Sequence, residues 1–141
     1  MASNLLEKIQ NSEKDIEYHR PTLSKEELQT VLDCLVDDLV DSGAVVEKFE
    51  KEIKSTFSHR NVISVNSLFS AYHLSLLSLG VSPEDKIVLS AYAPLSAYYA
   101  ILLLGAKPIP VDLGKSSFHM DPLLFQKIVQ ENLPRVILLD H

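Results

Sequence analysis

The sequence has a single cysteine, Cys34, among its 141 residues. An internal disulfide is therefore excluded, which is compatible with a reducing compartment. Cys34 lies in an acidic segment of helical pattern, close to Asp33 and Asp37. Neighbouring carboxylates disfavour the thiolate form, so we predict an inert thiol rather than a nucleophile.

Positive charge is also scarce, because 13 Lys and Arg stand against 19 Asp and Glu, for a formal net charge of −6. No basic stripe is present, and an acidic chain is a poor partner for a phosphate backbone, so we predict no nucleic-acid binding. The N-terminus has Glu7 where a secretory signal needs an apolar segment. We therefore predict no signal peptide and a cytoplasmic protein.

Two segments, 61–83 and 87–106, contain no Asp, Glu, Lys or Arg. Each is about as long as the roughly 20 residues that span a bilayer. The first contains Asn66 and His73, and the second has Pro94 in its middle, so we predict no membrane span. Buried strands and helices of a parallel sheet give the same continuous apolar pattern.

Several site motifs are missing. The five histidines share no close spacing, so we predict no metal site, and no residue stands out as catalytic. The sequence has neither a glycine-rich phosphate loop nor a nucleophile elbow. Asp112, at the end of a predicted strand, is the best-placed carboxylate, and a loop-capping role is its favoured interpretation.

Charge is concentrated near the N-terminus: residues 1–60 carry 21 of the 32 charged side chains, and residues 61–141 carry 11. This distribution favours a solvated helical front and a buried α/β part. We predict a lead-in segment over 1–20 and one domain over 21–141. Within that domain we expect a helical front over 24–57 and a sheet part over 61–141.

The helical front begins with a strong start signal. Ser24 can cap a first helix, and Glu27 three residues later can complete a capping box. Apolar residues at helical spacing then share one face of the predicted helix, and Ser42-Gly43 is its predicted end. The residues of this face are Leu28, Val31, Leu32, Leu35, Val36 and Leu39. A second predicted helix has an inner stripe of Val46, Phe49, Ile53 and Phe57.

From residue 61 strand-like and helix-like segments alternate. The four predicted strands are 61–66, 86–90, 107–113 and 135–140. Gly80 and Gly105 are predicted to end two of the helices between them, and Asp121-Pro122 to begin the third. The alternation predicts a mainly parallel sheet with flanking helices, and prolines in the third strand suggest an edge or an irregular end. Ligands on such sheets bind at the carboxyl ends of the strands.

The junction at 66–69 is the most informative of the loops at those ends. Ser67 can cap the following helix, and we expect the amides of Leu68, Phe69 and Ser70 to point outward. A helix N-terminus carries about half a positive charge and unpaired N–H groups, which suit a phosphate. Leu68 and Phe69 decide whether a phosphate can reach these amides; alternatively, they pack against neighbouring loops.

From Ile16 onward, six blocks in order resemble the DegT/StrS-type family of sugar aminotransferases, which use pyridoxal phosphate (PLP). The blocks are IEYHRPTLSKEEL, FEKEI, VNSLFSAYHLSLLSLGV, SPEDKIVLSAYAPLSAYYAILLLGAKPIPVDL, HMDPLLFQKIV and RVILLDH. The resemblance implies part of a fold-type-I transferase large domain, preceded by two N-terminal helices. It also implies a PLP cofactor, a nucleotide-linked keto-sugar substrate and a homodimer.

The resemblance also implies site residues. The family's Ser-Gly-Thr turn, which binds the cofactor phosphate, falls on Ser67, Leu68 and Phe69. Its Tyr-Thr-Phe segment, which supplies a ring that stacks on the cofactor, falls on 92–94, where only Tyr92 is aromatic. Half-buried packing is the alternative role of Tyr92. Without the glycine and the threonine hydroxyl, we predict weak or no PLP binding.

The family's Schiff-base lysine and the aspartate that pairs with the pyridine nitrogen lie downstream of the position matching His141. We therefore expect a truncated or degenerate aminotransferase-like protein that is inactive as this chain. Two alternatives stay open: a non-catalytic partner subunit of the same fold, and an unrelated flavodoxin-like binding module. Exposed strand edges and apolar helix faces predict self-association into a homo-oligomer.

Overall fold

The computed structural model describes residues 21–39, 41 and 43–139. These residues form two compact units, the first ending at Ser58 and the second beginning at His59. The predicted lead-in segment 1–20 lies outside the described residues, as do Ser42 and the last two residues of the chain. The assignment of 21–141 to one domain stays a prediction.

The first unit contains helices α1 (Lys25–Val36) and α2 (Ala44–Thr56). The predicted capping box of α1 is confirmed: the Ser24 hydroxyl accepts from the Glu26 amide at 3.1 Å, and the Ser24 amide donates to the Glu27 carboxylate at 2.6 Å. The predicted end of α1 is wrong. The helix stops at Val36 because Asp38 adopts a φ of +55°, a left-handed conformation that Asp tolerates.

The inner stripe predicted for α2 is only partly covered, since Val46 and Ile53 are half-buried whereas Phe49 and Phe57 are exposed. No described residue of α1 or α2 is buried. Leu28 is 60% exposed and Leu35 57% on α1, and Phe49 is 52% exposed on α2. The periodicity identifies residues that share a face, but it carries no information on what covers that face.

The second unit is an α/β layer structure. Its elements are α3 (Leu68–Ser78), β1 (Lys86–Ser90), α4 (Leu95–Leu103), β2 (Lys107–Val111), α5 (Pro122–Asn132) and β3 (Val136–Ile137). The sheet has the order β2-β1-β3, and both pairings are parallel. Ile87 lies opposite Pro108 on one side and opposite Val136 on the other. The predicted parallel sheet with flanking helices is therefore confirmed.

β2 lies at an edge of the described sheet, as its prolines predicted. The Lys107 amide donates to the Asp85 carbonyl, and the Val111 carbonyl accepts from the Ala91 amide, both at 2.8 Å. Alternate residues of β2 therefore face β1. Pro108 and Pro110 fall between them, so their nitrogens, which lack a hydrogen, face away from the ladder.

The predicted first strand, 61–66, is wrong, because these residues join no ladder within the described chain. Burial still alternates there: Val62 is half-buried, whereas Ile63 is 80% exposed. A β-branched run favours an extended backbone, but a strand also needs a hydrogen-bonding partner, and the run does not reveal one.

Gly80 and Gly105 end α3 and α4 as predicted, with φ values of +67° and +70°. After α3, the Val81 amide donates to the Leu76 carbonyl at 3.1 Å and the Gly80 amide to the Leu77 carbonyl at 2.9 Å. An equivalent pair of hydrogen bonds ends α4. This arrangement requires a left-handed residue, which glycine adopts without strain.

The core lies between β1 and the helix pair α3 and α4, which pack against each other. Its buried residues are Leu76, Val81, Ile87, Leu89, Ala97, Ala100, Ile101 and Ala106. Val88 points to the opposite face of β1 because strand side chains alternate, and it is buried too. Helix α5 packs against β2. None of the helices described here is long and apolar enough to cross a membrane.

Candidate functional site

The strand order reverses at β1: the chain leaves it through α4 to β2 on one side, and β3 lies on the other side. In open α/β sheets, ligands bind beyond the carboxyl ends of the strands at such a reversal. The loops that follow β1 and β2 lie at this edge. They span 91–94 and 112–121.

Ser90, at the end of β1, organises the first of these loops and is only 3% exposed. Its hydroxyl accepts from the Tyr92 amide at 3.1 Å. Its carbonyl accepts from the Ala93 amide and from the Tyr98 hydroxyl, each at 3.0 Å. Three hydrogen bonds to one buried residue thus fix the course of the backbone that carries Tyr92.

The Tyr92 side chain is 66% exposed at this edge, so it is not half-buried packing. Its ring lies beside that of Phe118, with centroids 5.6 Å apart and planes inclined by 41°. This is within the range of favourable tilted aromatic pairs. Sequence reasoning selected Tyr92 but missed Phe118, because nothing in the local pattern indicates that its loop folds back to β1.

The loop 112–121 is closed at its base. Leu113 and Met120 form an antiparallel bridge, and the Asp121 amide donates to the Asp112 carbonyl at 2.9 Å. Asp112 Oδ1 accepts from the Leu113 amide at 2.8 Å, which is the loop-capping role favoured from the sequence. The closed base presents Phe118, 75% exposed, near the tip.

Asp121 caps the helix that follows this loop, as predicted. Its Oδ1 atom accepts from the Leu123 amide at 2.8 Å and from the Leu124 amide at 3.0 Å. Pro122 occupies the first turn, where its missing N–H is no loss. The first amides of α5 are therefore satisfied within the chain.

A cavity of about 290 Å³ lies at the same edge of the sheet. It is lined by Ser90, Phe118, His119, Met120, Pro122, Phe125 and Leu139. This cavity was not predictable from the sequence, since its walls come from three separate segments of the chain. No group of three or more His, Cys, Asp or Glu that could hold a metal occurs among the described residues.

The junction 66–69 is arranged around Ser67, the N-cap of α3. Its hydroxyl accepts from the Ser70 amide at 3.1 Å, and the Ser70 hydroxyl donates to Asn66 Oδ1 at 2.8 Å. The expectation that the Ser70 amide points outward is therefore wrong. The amides of Leu68 and Phe69, in the first turn, have no acceptor within the helix itself.

The two apolar side chains of this junction take different courses. Phe69 is half-buried, packs against the core cluster and stacks on His73, with ring centroids 5.8 Å apart and planes inclined by 27°. Leu68 stays 54% exposed on the first turn of α3. The junction thus offers two backbone N–H donors and the hydroxyl of Ser67, which already caps α3. The exposed Leu68 side chain lies beside them.

Residues 21–141 match the family model of the DegT/DnrJ/EryC1/StrS aminotransferase family. The chain belongs to this family. The spore coat polysaccharide biosynthesis protein SpsC of Bacillus subtilis is 27% identical over 129 residues, which are 92% of this chain and 33% of SpsC. This chain spans about a third of the length of the curated relatives that it matches.

Solved structures agree with this assignment. The PLP form of the putative sugar aminotransferase Spr1654 from Streptococcus pneumoniae gives a TM-score of 0.76 at 24% identity, covering 84% of this chain and 30% of that one. NtdA from Bacillus subtilis with bound cofactor PMP gives a TM-score of 0.67 at 26% identity, and the match covers 89% of this chain and 31% of NtdA. The second unit of this family member is thus part of a fold-type-I PLP-transferase domain, as the sequence resemblance predicted.

Proposed function

We propose that this chain is the N-terminal part of a sugar-aminotransferase fold whose cofactor-phosphate turn has diverged. On this proposal it does not bind the PLP phosphate productively and does not transaminate by itself. The observation that carries the proposal is the course of Phe69. At the position where the resemblance to the family implies a phosphate-binding hydroxyl, the side chain of Phe69 packs against the core and stacks on His73.

The residues at 67–69 do not fit a tight phosphate site. The Ser67 hydroxyl already accepts from the Ser70 amide, and its oxygen lies 3.0 Å from the Ser70 hydroxyl oxygen. Leu68 replaces a glycine that would let an anion approach the backbone closely. Each lost charge-assisted hydrogen bond is worth about 1.5 to 3 kcal/mol, or roughly tenfold to a hundredfold in affinity.

The cofactor-ring position is only partly retained. Tyr92 is aromatic and exposed at the correct edge of the sheet, but its ring pairs with Phe118. Pro94 is the N-cap of α4. A nucleotide-sugar substrate, which rests on the resemblance alone, remains a proposal, as do a homo-oligomer and a cytoplasmic location.

A non-catalytic partner subunit of the same fold is the second candidate, and one observation favours it. Helices α3 and α4 contain no Asp, Glu, Lys or Arg, and their outer surfaces expose several leucines. Leu74, Leu77, Leu102 and Leu103 are each about half exposed there, at 51%, 47%, 55% and 62%. Sedimentation analysis that finds only monomer at high concentration would argue against this candidate.

The test compares pyridoxamine phosphate with pyridoxamine by calorimetry on this chain. The amine form is used because it cannot form Schiff bases with surface lysines. We expect equal, weak binding of the two compounds. In the variant Leu68→Gly/Phe69→Thr, we expect the phosphate compound to bind at least tenfold better than pyridoxamine, whereas Leu123→Gly, in the first turn of α5, should change nothing. Micromolar, phosphate-dependent binding by the unaltered chain would refute the proposal.

A further inference from the structure

The cavity at the carboxyl edge of β1 has mostly apolar walls. These are formed by Phe118, Met120, Pro122, Phe125 and Leu139. Ser90 and His119 supply its polar part. No Asp, Glu, Lys or Arg lines it, so a charged ligand would lose its hydration without gaining a partner there.

The volume of the cavity, about 290 Å³, indicates the size of a ligand. An apolar cavity of about 150 Å³ is known to hold benzene. Twice that volume suits a fused two-ring system, and it lies near the lower end of the roughly 300 to 1,000 Å³ typical of small-molecule sites.

One exposed aromatic ring, that of Phe118, lines this cavity. It also pairs with Tyr92, at 5.6 Å between centroids. The Phe118 side chain is 75% exposed, which leaves a large apolar ring surface in water. A planar ligand that stacks on Phe118 would remove this surface from water and add an aromatic contact.

Both rings are carried by loops whose shape is fixed before any ligand arrives. The loop of Tyr92 is held by three hydrogen bonds to Ser90, and the loop of Phe118 is closed by the bridge between Leu113 and Met120. Rigid presentation of contact groups favours affinity, because less conformational entropy is lost on binding.

The polar groups indicate a heteroatom in the ring. The Ser90 hydroxyl accepts from the Tyr92 amide, so its own hydrogen is left to donate to a ligand. The imidazole of His119 can donate or accept, so it can accept the N–H of a heteroaromatic ring. The carboxylates of Asp112 and Asp121, in the same loop, accept from backbone amides and do not line the cavity.

We infer that this cavity is a binding site for an uncharged, planar, two-ring heteroaromatic compound, which stacks on Phe118. The site uses none of the residues 66–69 and requires no phosphate. The inference can therefore be refuted without refuting the proposal on the cofactor turn, and the converse also holds.

Indole is a suitable probe, because the chain contains no tryptophan and indole fluorescence can come only from the ligand. We expect a saturable blue shift of that fluorescence as the chain is added. Phe118→Ala should weaken binding at least tenfold. Leu123→Ala is the matched control, because Leu123 is equally exposed at 78% on the neighbouring helix but does not line the cavity.

A charged analogue completes the test. Indole acetate carries a carboxylate and should bind at least tenfold more weakly than indole. Phe118 is exposed, so its replacement leaves the core intact, and circular dichroism of the variant will verify this. The absence of a saturable shift, or an equal affinity of Phe118→Ala and Leu123→Ala for indole, would overturn the inference.

Discussion

The ring of Phe69 lies on the imidazole of His73, with centroids 5.8 Å apart and planes inclined by 27°. This pair joins the first turn of α3 to its second turn and directs the Phe69 side chain toward the core. A residue that packs in this way contributes to folding and cannot offer a hydroxyl to a ligand. The pair thus relates local packing to the proposed divergence of the cofactor-phosphate turn.

Replacing Phe69 should reveal its structural role. We expect Phe69→Thr to lower the free energy of unfolding by about 2 kcal/mol, since Phe69 is half-buried and full truncation of a buried Phe costs about 3 to 5 kcal/mol. Leu68→Thr, at the exposed neighbouring position, should cost less than about 1 kcal/mol. Urea denaturation measures both. Equal losses would mean that the packing of Phe69 is not important for stability.

The Tyr98 hydroxyl should support the loop that carries Tyr92, because it donates to the Ser90 carbonyl at 3.0 Å. We expect Tyr98→Phe to lower the free energy of unfolding by about 1 kcal/mol, the usual net value of one hydrogen bond. Tyr99→Phe is the matched control, since Tyr99 is 58% exposed on the same helix. Thermal unfolding that gives the same midpoint for both variants would contradict this role.

The end of α5 stores backbone strain at Leu133, which has a φ of +47° and is 83% exposed. A left-handed conformation costs a non-glycine residue about 1 to 2 kcal/mol, so Leu133→Gly should stabilise the chain by about 1 kcal/mol. The converse change, Gly105→Ala, should destabilise it, because an added Cβ atom would also lie 3.3 Å from Pro83 Cβ. A lower unfolding midpoint for Leu133→Gly would contradict this assignment.

The capping box of α1 should depend on pH. The Ser24 hydroxyl, and secondly the Ser24 amide, donate to the Glu27 carboxylate and lower the pKa of Glu27 below its ordinary value. A lowered folded-state pKa means that the stabilisation is complete above the ordinary glutamate pKa. It is lost as the pH falls through the lowered pKa of Glu27.

An NMR titration of the side-chain carboxyl of Glu27 measures this effect. We expect Ser24→Ala to raise the pKa of Glu27 back toward its ordinary value, whereas Ser55→Ala, on α2, should leave it unchanged. If Glu27 titrates at its ordinary value in the unaltered chain, the capping box does not form in solution.

Features with a local cause were predictable from the sequence. Ser24, Asp121, Gly80 and Gly105 act at helix ends through bonds to residues within a few positions, so each could be predicted from its neighbours. The prolines of β2 likewise revealed an edge. The strand pattern from residue 86 onward gave the order of elements, and the resemblance gave the family.

Features that depend on distant partners were not predictable. Segment 61–66 has the composition of a strand but no ladder within the described chain, and α1 has a helical stripe whose Leu28 is 60% exposed. The pairing of Tyr92 with Phe118 joins two loops that are 26 positions apart (118 − 92). Composition and periodicity describe one element at a time, so they do not reveal such contacts.

The central claim is that the turn at 67–69 no longer binds the cofactor phosphate. Phosphorus NMR of pyridoxamine phosphate during titration with this chain tests it most directly, because the signal arises from the phosphate itself. Our account predicts no saturable change in the shift or width of that signal. A saturable change that Leu68→Glu abolishes would contradict it, and would mean that the first amides of α3 still bind the phosphate.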